Sequence, residues 1–507
     1  MAKKIQKQRP WLKPEHVAII CCMIVVGTLL RLYHLGTHSL WLDEAFTAMF
    51  ISRDFTFLID NCVHDRGPLP LMYILPLIAQ TIAGNNSECT LRFFDFFFGS
   101  LGIFIIFLIA RRIYKHPISV LTSVFLLTVS SFHHYYSQDA RGYTGLAVLS
   151  MIQLVFLFNA LTHEHKMFPW WLFYTISVIA ALYITLFSIF LIISNTLFIG
   201  LWLFVIQRGS WDKKKKQQVV VSYSISTAAI LISIAFWLMF SLPYLGKAQA
   251  LFDKVSPLKC LAFMLSAYNE YMGGNILLSA GIMVLIIAGF IYADNRIRFI
   301  MAYPFLIFAA AYAVFQFSPL TPGFLHPRYV IMALPFLFLA AGISLALLYT
   351  RLPSKIPVYI IGILILGGYG IVNVKGILHN YATEKQDWRS AGKYIAEHYQ
   401  AGDVIFAGAN SCSVVLFYYL PEPIRYQLFP DHPSTNQLLE PLRNMQRAWY
   451  ATAYYRWMPQ WAKLQSAITS PNIWYDTLDA YFNEVIEFPG EYPVKVFLSK
   501  KVKLTSP

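Results

Sequence analysis

Long apolar runs alternate with short basic interruptions along most of the chain. A helix needs about 20 mostly apolar residues to cross a bilayer. Runs of that kind fall at 16–35, 95–111, 118–134, 143–161, 168–186, 188–206, 218–240, 274–292, 299–316, 329–349 and 356–374. The pattern therefore predicts about eleven membrane helices, the division at 186/188 cutting one continuous apolar stretch. A further run, Pro68 to Ala83, is short and interrupted by Pro68, Pro70 and Pro76. If it crosses, the cluster Arg111-Arg112-Ile113-Tyr114-Lys115-His116 faces outward. If it only dips into the interface, that cluster faces the cytoplasm, together with His163 to Lys166, Arg208 to Lys216, Arg296 to Arg298 and Arg351 to Lys355. Basic residues concentrate on the cytoplasmic side, so the second arrangement is expected. Lys3, Lys4, Lys7, Arg9 and Lys13 put the N-terminus inside as well. An odd number of spans then puts the C-terminal part outside.

The pattern changes after residue 374. Asp387 to His398 has helical apolar spacing, Val404 to Ala407 reads as a buried strand, Val414 to Leu420 is another apolar run, and Tyr492 to Leu498 reads as a last strand. The expected organisation is a membrane domain over 1–374, with a first outer loop at 36–94, and a small extracytoplasmic α/β domain over 375–507. The outer face would also receive the stretch 137–143, a short turn near 187, the loop 242–273 and the loop from Pro319 to Tyr329.

Composition supports a multi-span membrane protein. Of 507 residues, 57% are hydrophobic and 13% charged, with a mean hydropathy of +0.52, far from the soluble average. The net charge of +14 would suggest nucleic acid in a soluble protein, but much of it sits between apolar runs and no nucleic-acid motif accompanies it. No small-residue cleavage site follows the first run, so that run reads as a retained signal anchor. The six cysteines lack metal-type spacing, and Cys62 and Cys89 are candidates to pair outside the cell. No GxGxxG, P-loop, HExxH or GxSxG sequence is present, which argues against nucleotide-binding and serine-hydrolase readings.

Candidate chemistry gathers on the outer face. Asp43 and Glu44 follow the first span, between Trp41-Leu42 and Ala45-Phe46. An ordinary explanation is a solvated helix start, with Ser39 as cap and acids in the first turn. His64-Asp65-Arg66-Gly67-Pro68 precedes the broken segment, Asp139 and Arg141 follow the third span, and His326-Pro327-Arg328-Tyr329 enters the tenth. Singly, each has a bland explanation: Asp139 and Arg141 can pair, Arg328 can snorkel to headgroups, and His64 can be a loop histidine. Together, acids and cations from distant segments meet one membrane boundary. That suits a general base working beside an anionic leaving group.

These residues carry a resemblance. Arg31-Leu-Tyr-His-Leu-Gly followed by Ser39-Leu-Trp-Leu-Asp43-Glu44-Ala45 resembles the start of bacterial membrane glycosyltransferases of the GT-C fold, the relatives of protein O-mannosyltransferases and of the aminoarabinose transferases that modify lipid A. The similarity continues through Leu91-Arg92-Phe93, Tyr136-Ser-Gln-Asp139-Ala-Arg141-Gly-Tyr143, Arg328 to Pro335, and Asp387-Trp388-Arg389. Two departures stand out. The second acidic motif usually carries Glu where Asp139 stands, and the usual His-Pro-Pro-Leu is opened here by Asp65-Arg66-Gly67.

The resemblance implies a polyprenyl-phosphate-linked sugar donor held in the bilayer and an acceptor hydroxyl on a glycan, lipid or protein. It implies inversion at the anomeric carbon. Asp43 would be the general base, with Glu44 and Asp139 positioning substrate or binding a divalent ion. Arg141, Arg328 and His64 would hold the leaving phosphate, and Tyr143, His326 and Tyr329 would position substrate. A flippase or other transporter of lipid-linked sugars would show internal repeats and mid-membrane ionisable groups, which the sequence does not favour. A non-catalytic envelope-assembly protein would leave Asp43-Glu44 without a task.

Overall fold

The computed structural model describes residues 11–64, 69–162, 167–206, 211, 213–245, 255–317, 325–429, 434–444, 446–453 and 471–500. Lys3, Lys4, Lys7, Arg9, the 163–166 cluster, part of the 208–216 cluster, Asp65 to Pro68, residues 318–324 and the C-terminal 501–507 lie outside the described residues.

The chain is an α-helical, multi-pass integral membrane protein with a small C-terminal sheet. Among the described residues, nine helices are long and apolar enough to cross a membrane, or up to eleven if each of two bent pairs counts as one span. The helices are α1 (Pro14–Leu32), α2 (Leu42–Phe50), α3 (Phe55–His64), α4 (Pro70–Ala83) and α5 (Glu88–Ile113). They continue with α6 (Pro117–Val129), α7 (Ser131–Ser137), α8 (Tyr143–Thr162), α9 (Met167–Ile184), α10 (Ile189–Leu201) and α11 (Lys213–Leu245). The last membrane helices are α12 (Pro257–Tyr271), α13 (Ile276–Tyr292), α14 (Asn295–Phe317), α15 (Leu334–Arg351) and α16 (Ile356–Ala382).

The expected spans match these helices closely, with informative differences. The run 118–134 is broken into α6 and α7, bent by 55°. The last four carbonyls of a helix need partners, and here Arg31 of α1 serves two of them: its guanidinium donates to Leu127 O at 3.0 Å and Thr128 O at 3.2 Å. The expected loop 242–273 is partly helical, α12 meeting α13 at 94°. Pro68 to Ala83 yields α4, whose 14 residues fall short of a crossing helix. The 186/188 division corresponds to a 3-10 turn, Leu186–Ser188, between α9 and α10.

Most of α15 is buried, and it forms the centre of the bundle. It approaches α6 closely because Gly342 has no side chain: a Cβ there would lie 2.6 Å from Ser119 O. A ring of buried polar groups ties α8, α10 and α14 together. Gln153 Nε2 donates to the Tyr303 hydroxyl at 2.8 Å, that hydroxyl donates to Asn195 Oδ1 at 2.7 Å, and Asn195 Nδ2 donates to Gln153 Oε1 at 3.0 Å.

After α16, which runs past 374 to Ala382, the tail comprises α17 (Trp388–His398), β1 (Val404–Ala407), α18 (Ala409–Tyr419), α19 (Thr435–Arg443), β2 (Ala448–Thr452), α20 (Pro471–Tyr481), β3 (Phe482–Phe488) and β4 (Val494–Ser499). Sheet order is β1-β2-β4-β3, with β1 parallel to β2 and the other pairs antiparallel. α17, β1 and β4 fall where the apolar pattern predicts a helix and two strands, whereas β2 and β3 lie where that pattern predicts no element. One tail core contains Trp388, Ile395, Ile405, Val415, Trp449 and Val496, and with them Leu42 and Ala45 of α2. The tail therefore packs around the helix that carries Asp43. The pairing of Cys62 with Cys89 is not formed: neither is in a disulfide, the first being buried and the second exposed.

Candidate active site

Three segments build one end of the bundle: the strap from Tyr33 to Trp41 leading into α2, the turn 138–142 between α7 and α8, and the 3-10 helix Pro327–Ala333. Acids suit a helix start, but Ser39 is not the cap. Trp41 is, and Glu44 reaches back to accept the Trp41 N–H at 3.3 Å. Glu44 is fully buried. Arg92 of α5 grips it as a fork, Nε to Oε1 and Nη2 to Oε2, both at 2.7 Å, and the Ala140 N–H donates to Oε1 at 3.0 Å. Each lone-pair position of the carboxylate is then occupied. Arg92 spends its remaining N–H groups on the carbonyls of Leu35, His38 and Ser39, at 3.0–3.1 Å.

The 138–142 turn needs Gly142, whose φ is +70° and where a Cβ would lie 2.9 Å from Ile184 Cγ2. Asp95 of α5 fixes it by accepting the Gly142 N–H at 3.0 Å and the Thr144 hydroxyl at 2.9 Å. Thr47 of α2 donates to Ala140 O at 3.1 Å. With the turn locked to α2, Arg141 Nη1 donates to the Asp43 carbonyl at 3.1 Å.

Asp43 differs from Glu44. Its side chain is 23% exposed and makes a single-point ion pair with Arg328, Nη2 to Oδ2 at 3.2 Å. Arg328 sits among the rings of Trp41, Tyr143 and Tyr329, its guanidinium carbon 5.3, 5.5 and 5.7 Å from their centroids. Its buried Nε has no hydrogen-bond partner among the described residues. Tyr329 is held in turn by stacking on Phe187 at 4.2 Å.

Asp139 is buried and accepts the Trp41 indole N–H at 3.0 Å on Oδ1, while Oδ2 lies 3.5 Å from Lys385 Nζ. Lys385 comes from the linker after α16 and packs over Tyr135 at 4.0 Å and Trp41 at 5.0 Å. His326 caps the 3-10 helix, its Nδ1 accepting the Arg328 N–H at 3.4 Å. Burial pushes its pKa down to about 3, with Arg328 adding to the effect and Asp139 opposing it. The imidazole is therefore neutral near pH 7.

The geometry brings Asp43, Arg328, Arg141, Asp139, Tyr143, Tyr329 and His326 together, and Glu44 with them as a buried anchor. His64 ends α3, its side chain 45% exposed, and Nδ1 lies 2.6 Å from the Asp60 carbonyl and 3.7 Å from its carboxylate. Its expected part in phosphate binding gains no support from that position. The expected metal ligands do not fit an ion either. Glu44 is filled by N–H donors, and Asp139 faces an indole N–H and an ammonium. Among the described residues, no group of three or more His, Cys, Asp or Glu could hold a metal.

Sequence reasoning gave no role to Trp41, Arg92, Asp95 and Lys385. An arginine and an aspartate three residues apart at the start of an apolar helix are costly without partners, and that signal could have flagged Arg92 and Asp95. Lys385 lies in a polar linker where nothing local distinguishes it.

No protein-family model matches the sequence, and no curated protein matches it. Solved structures do. ArnT from Cupriavidus metallidurans in the apo state superposes with a TM-score of 0.59 at 12% identity, over 97% of this chain and 99% of that one. The same protein bound to undecaprenyl phosphate gives 0.57 at 14% identity, with the same coverage. The oligosaccharyltransferase AglB from Archaeoglobus fulgidus, in complex with an inhibitory peptide and a dolichol-phosphate, gives 0.53 at 11% identity, over 87% of this chain and 69% of that one. These are GT-C glycosyltransferases, and this chain has the GT-C fold.

Proposed function

We propose that the chain is a membrane glycosyltransferase that moves a sugar from a polyprenyl-phosphate donor to an acceptor hydroxyl on the outer face of the membrane. The observation that carries this reading is the Asp43–Arg328 pair: a partly exposed carboxylate 3.2 Å from a guanidinium that is walled by aromatic rings and whose Nε–H finds no partner among the described residues. A base and an anion-stabilising fork at one point are what an inverting displacement needs. The GT-C fold, and the lipid phosphates carried by ArnT and AglB in their solved structures, support the donor class.

In the proposed reaction Asp43 accepts the acceptor's hydroxyl proton as that oxygen attacks the anomeric carbon. The bond from this carbon to the phosphate oxygen breaks, and the electron pair leaves with the polyprenyl phosphate. Arg328 and Arg141 stabilise the charge growing on the phosphate, Arg328 through a planar fork that a lysine could not reproduce. Tyr143 and Tyr329 hold Arg328 in place and line the substrate's path. Glu44 acts through Arg92 and Ala140, fixing Asp43 relative to the 138–142 turn, and Asp139 orients Trp41 and Lys385. Neutral His326 leaves the phosphate's cations to Arg328 and Arg141. This reading puts the N-terminus in the cytoplasm and the tail outside, and the placing of the basic clusters along the sequence supports it.

The test is mass spectrometry of envelope lipids, glycans and glycoproteins from cells with and without this chain. One sugar-bearing species should vanish with the chain and return with it. Identical envelopes in both would remove the reading.

A further inference from the structure

Beside the Asp43–Arg328 centre opens a cleft of about 350 Å3, within the range ordinary for small-molecule pockets, about 300–1,000 Å3. Tyr135 and Tyr136 of α7, Glu270 of α12, Asn380 of α16, His326 and, from the tail, Glu491 line it. It connects to the centre by contact: Tyr135 lies under Lys385 at 4.0 Å, and Tyr136 meets Tyr143 edge-on at 5.2 Å. Tyr143 in turn lies 5.5 Å from the Arg328 guanidinium.

The chemistry of the lining is one-sided. Glu491 accepts only a long hydrogen bond from the Tyr135 hydroxyl, 3.4 Å, and neither carboxylate forms an ion pair among the described residues. Among the described residues, no lysine or arginine lines the cleft. A phosphate binds where N–H donors and positive charge converge, and two carboxylates repel it. Carboxylates instead accept hydrogen bonds from hydroxyl groups, while tyrosine faces cover the apolar side of a ring. Among the described residues, Arg328 and Arg141 stand at Asp43, and Lys385 stands between Asp139 and the face of Tyr135 at the cleft's edge; the donor's phosphate would sit with the two arginines.

We infer that this cleft is the acceptor subsite and that it takes a neutral, hydroxyl-bearing sugar ring, not a phosphorylated group. The inference rests on the transferase reading for the word acceptor, but the chemistry of the cleft can be measured without transfer. The tail contributes Glu491, so the tail takes part in choosing the acceptor.

The test uses the full chain in lipid nanodiscs with the exposed Cys21, Cys22 and Cys89 replaced by serine and Asn380→Cys as reporter. Labelling of that cysteine by a polar thiol reagent is followed with methyl α-D-glucopyranoside, methyl α-D-mannopyranoside or glucose 1-phosphate present. At least one neutral glycoside should slow labelling by about threefold or more, a difference in occupancy that weak carbohydrate binding reaches at millimolar concentration. Glucose 1-phosphate should not. Glu270→Gln and Glu491→Gln, checked by an unchanged melt, should each weaken the protection. Protection by glucose 1-phosphate as strong as by the neutral glycosides, protection by neither glycoside, or protection that survives both glutamine variants would overturn the inference. A chain inactive as a transferase can still pass this test, so the two failures are separable.

Discussion

Asp43 and Glu44 are adjacent in the sequence and share the first turn of α2, yet their surroundings assign them different work. Glu44 is fully buried in a bidentate pair with Arg92, whereas Asp43 keeps access to solvent and one contact with Arg328. Removing one partner of a buried pair strands the other charge, at a cost of about 3–5 kcal/mol. Glu44→Gln should therefore lower the melting temperature sharply or abolish yield. A Glu44→Gln protein that melts like the wild type but transfers nothing would move Glu44 into the chemistry. His326 adds a pH dependence. An imidazole that ordinarily protonates near 6.5 is held by burial to about 3, so the unfolded chain binds the proton more readily and stability rises with pH in between. Its contribution is fully present above about 6.5 and is lost as pH falls from there toward 3. Melting curves between pH 4 and 8 should show less acid destabilisation in His326→Gln than in the wild type. Equal slopes would mean other groups set the acid limit. Asp43, Arg328 and Asp139 were legible because they interrupt apolar sequence near its ends. Lys385 was not, because its meaning comes from a fold that returns the linker to Trp41 and Asp139.

At the level of elements, apolar length located the spans, since that physics is local to each helix. The 143–161 run became Tyr143–Thr162, and 299–316 lies within Asn295–Phe317. What local pattern missed depends on neighbours. The bend between α6 and α7 is stable because Arg31, from another helix, takes the freed carbonyls. Pro257–Tyr271 reads as loop because Lys259, Asn269 and Glu270 break its apolar pattern, though Ser256 caps it by accepting the Lys259 N–H at 3.3 Å. β2 has all five residues buried, so it lacks the alternation that marks a half-exposed strand. The Gln153–Tyr303–Asn195 ring gives an element-scale prediction. Single hydrogen bonds between membrane helices average only about 0.6 kcal/mol, but Asn195→Ala removes several and strands buried partners. A loss of about 1–3 kcal/mol is expected, read as a lower unfolding temperature in bicelles with transfer per folded molecule retained. No change would mean that the ring is spare.

Across the whole molecule, the tail and the membrane helices share the strap that carries Asp43. Glu384 accepts the Ser39 N–H at 2.9 Å, Gln386 accepts the Leu42 N–H at 3.3 Å, and the Tyr419 hydroxyl accepts the Leu40 N–H at 2.6 Å. Arg389 donates to the carbonyls of Thr37 and His38 and pairs with Glu88 at 2.6 Å. Sequence composition divides the chain by character, since one part is lipid-like and the other is not. It could not reveal that Leu42 and Ala45 complete the tail's core, because that packing joins residues more than 300 positions apart. The tail expressed alone from 383 onward should accordingly lack a sharp cooperative melt, having lost α2. A cooperative melt equal to that of a tail fused to the 36–50 segment would show the tail to be self-sufficient.

The central claim is that Asp43 is the base. The most direct measurement is single-turnover sugar transfer by full-length Asp43→Asn with saturating polyprenyl-phosphate-linked donor, on protein whose melt matches the wild type. The amide keeps the shape of the carboxylate and its place beside Arg328 but cannot take the proton. Transfer should fall by about 100-fold or more, the usual scale of base catalysis, while donor binding persists. Turnover at the wild-type rate would contradict the account.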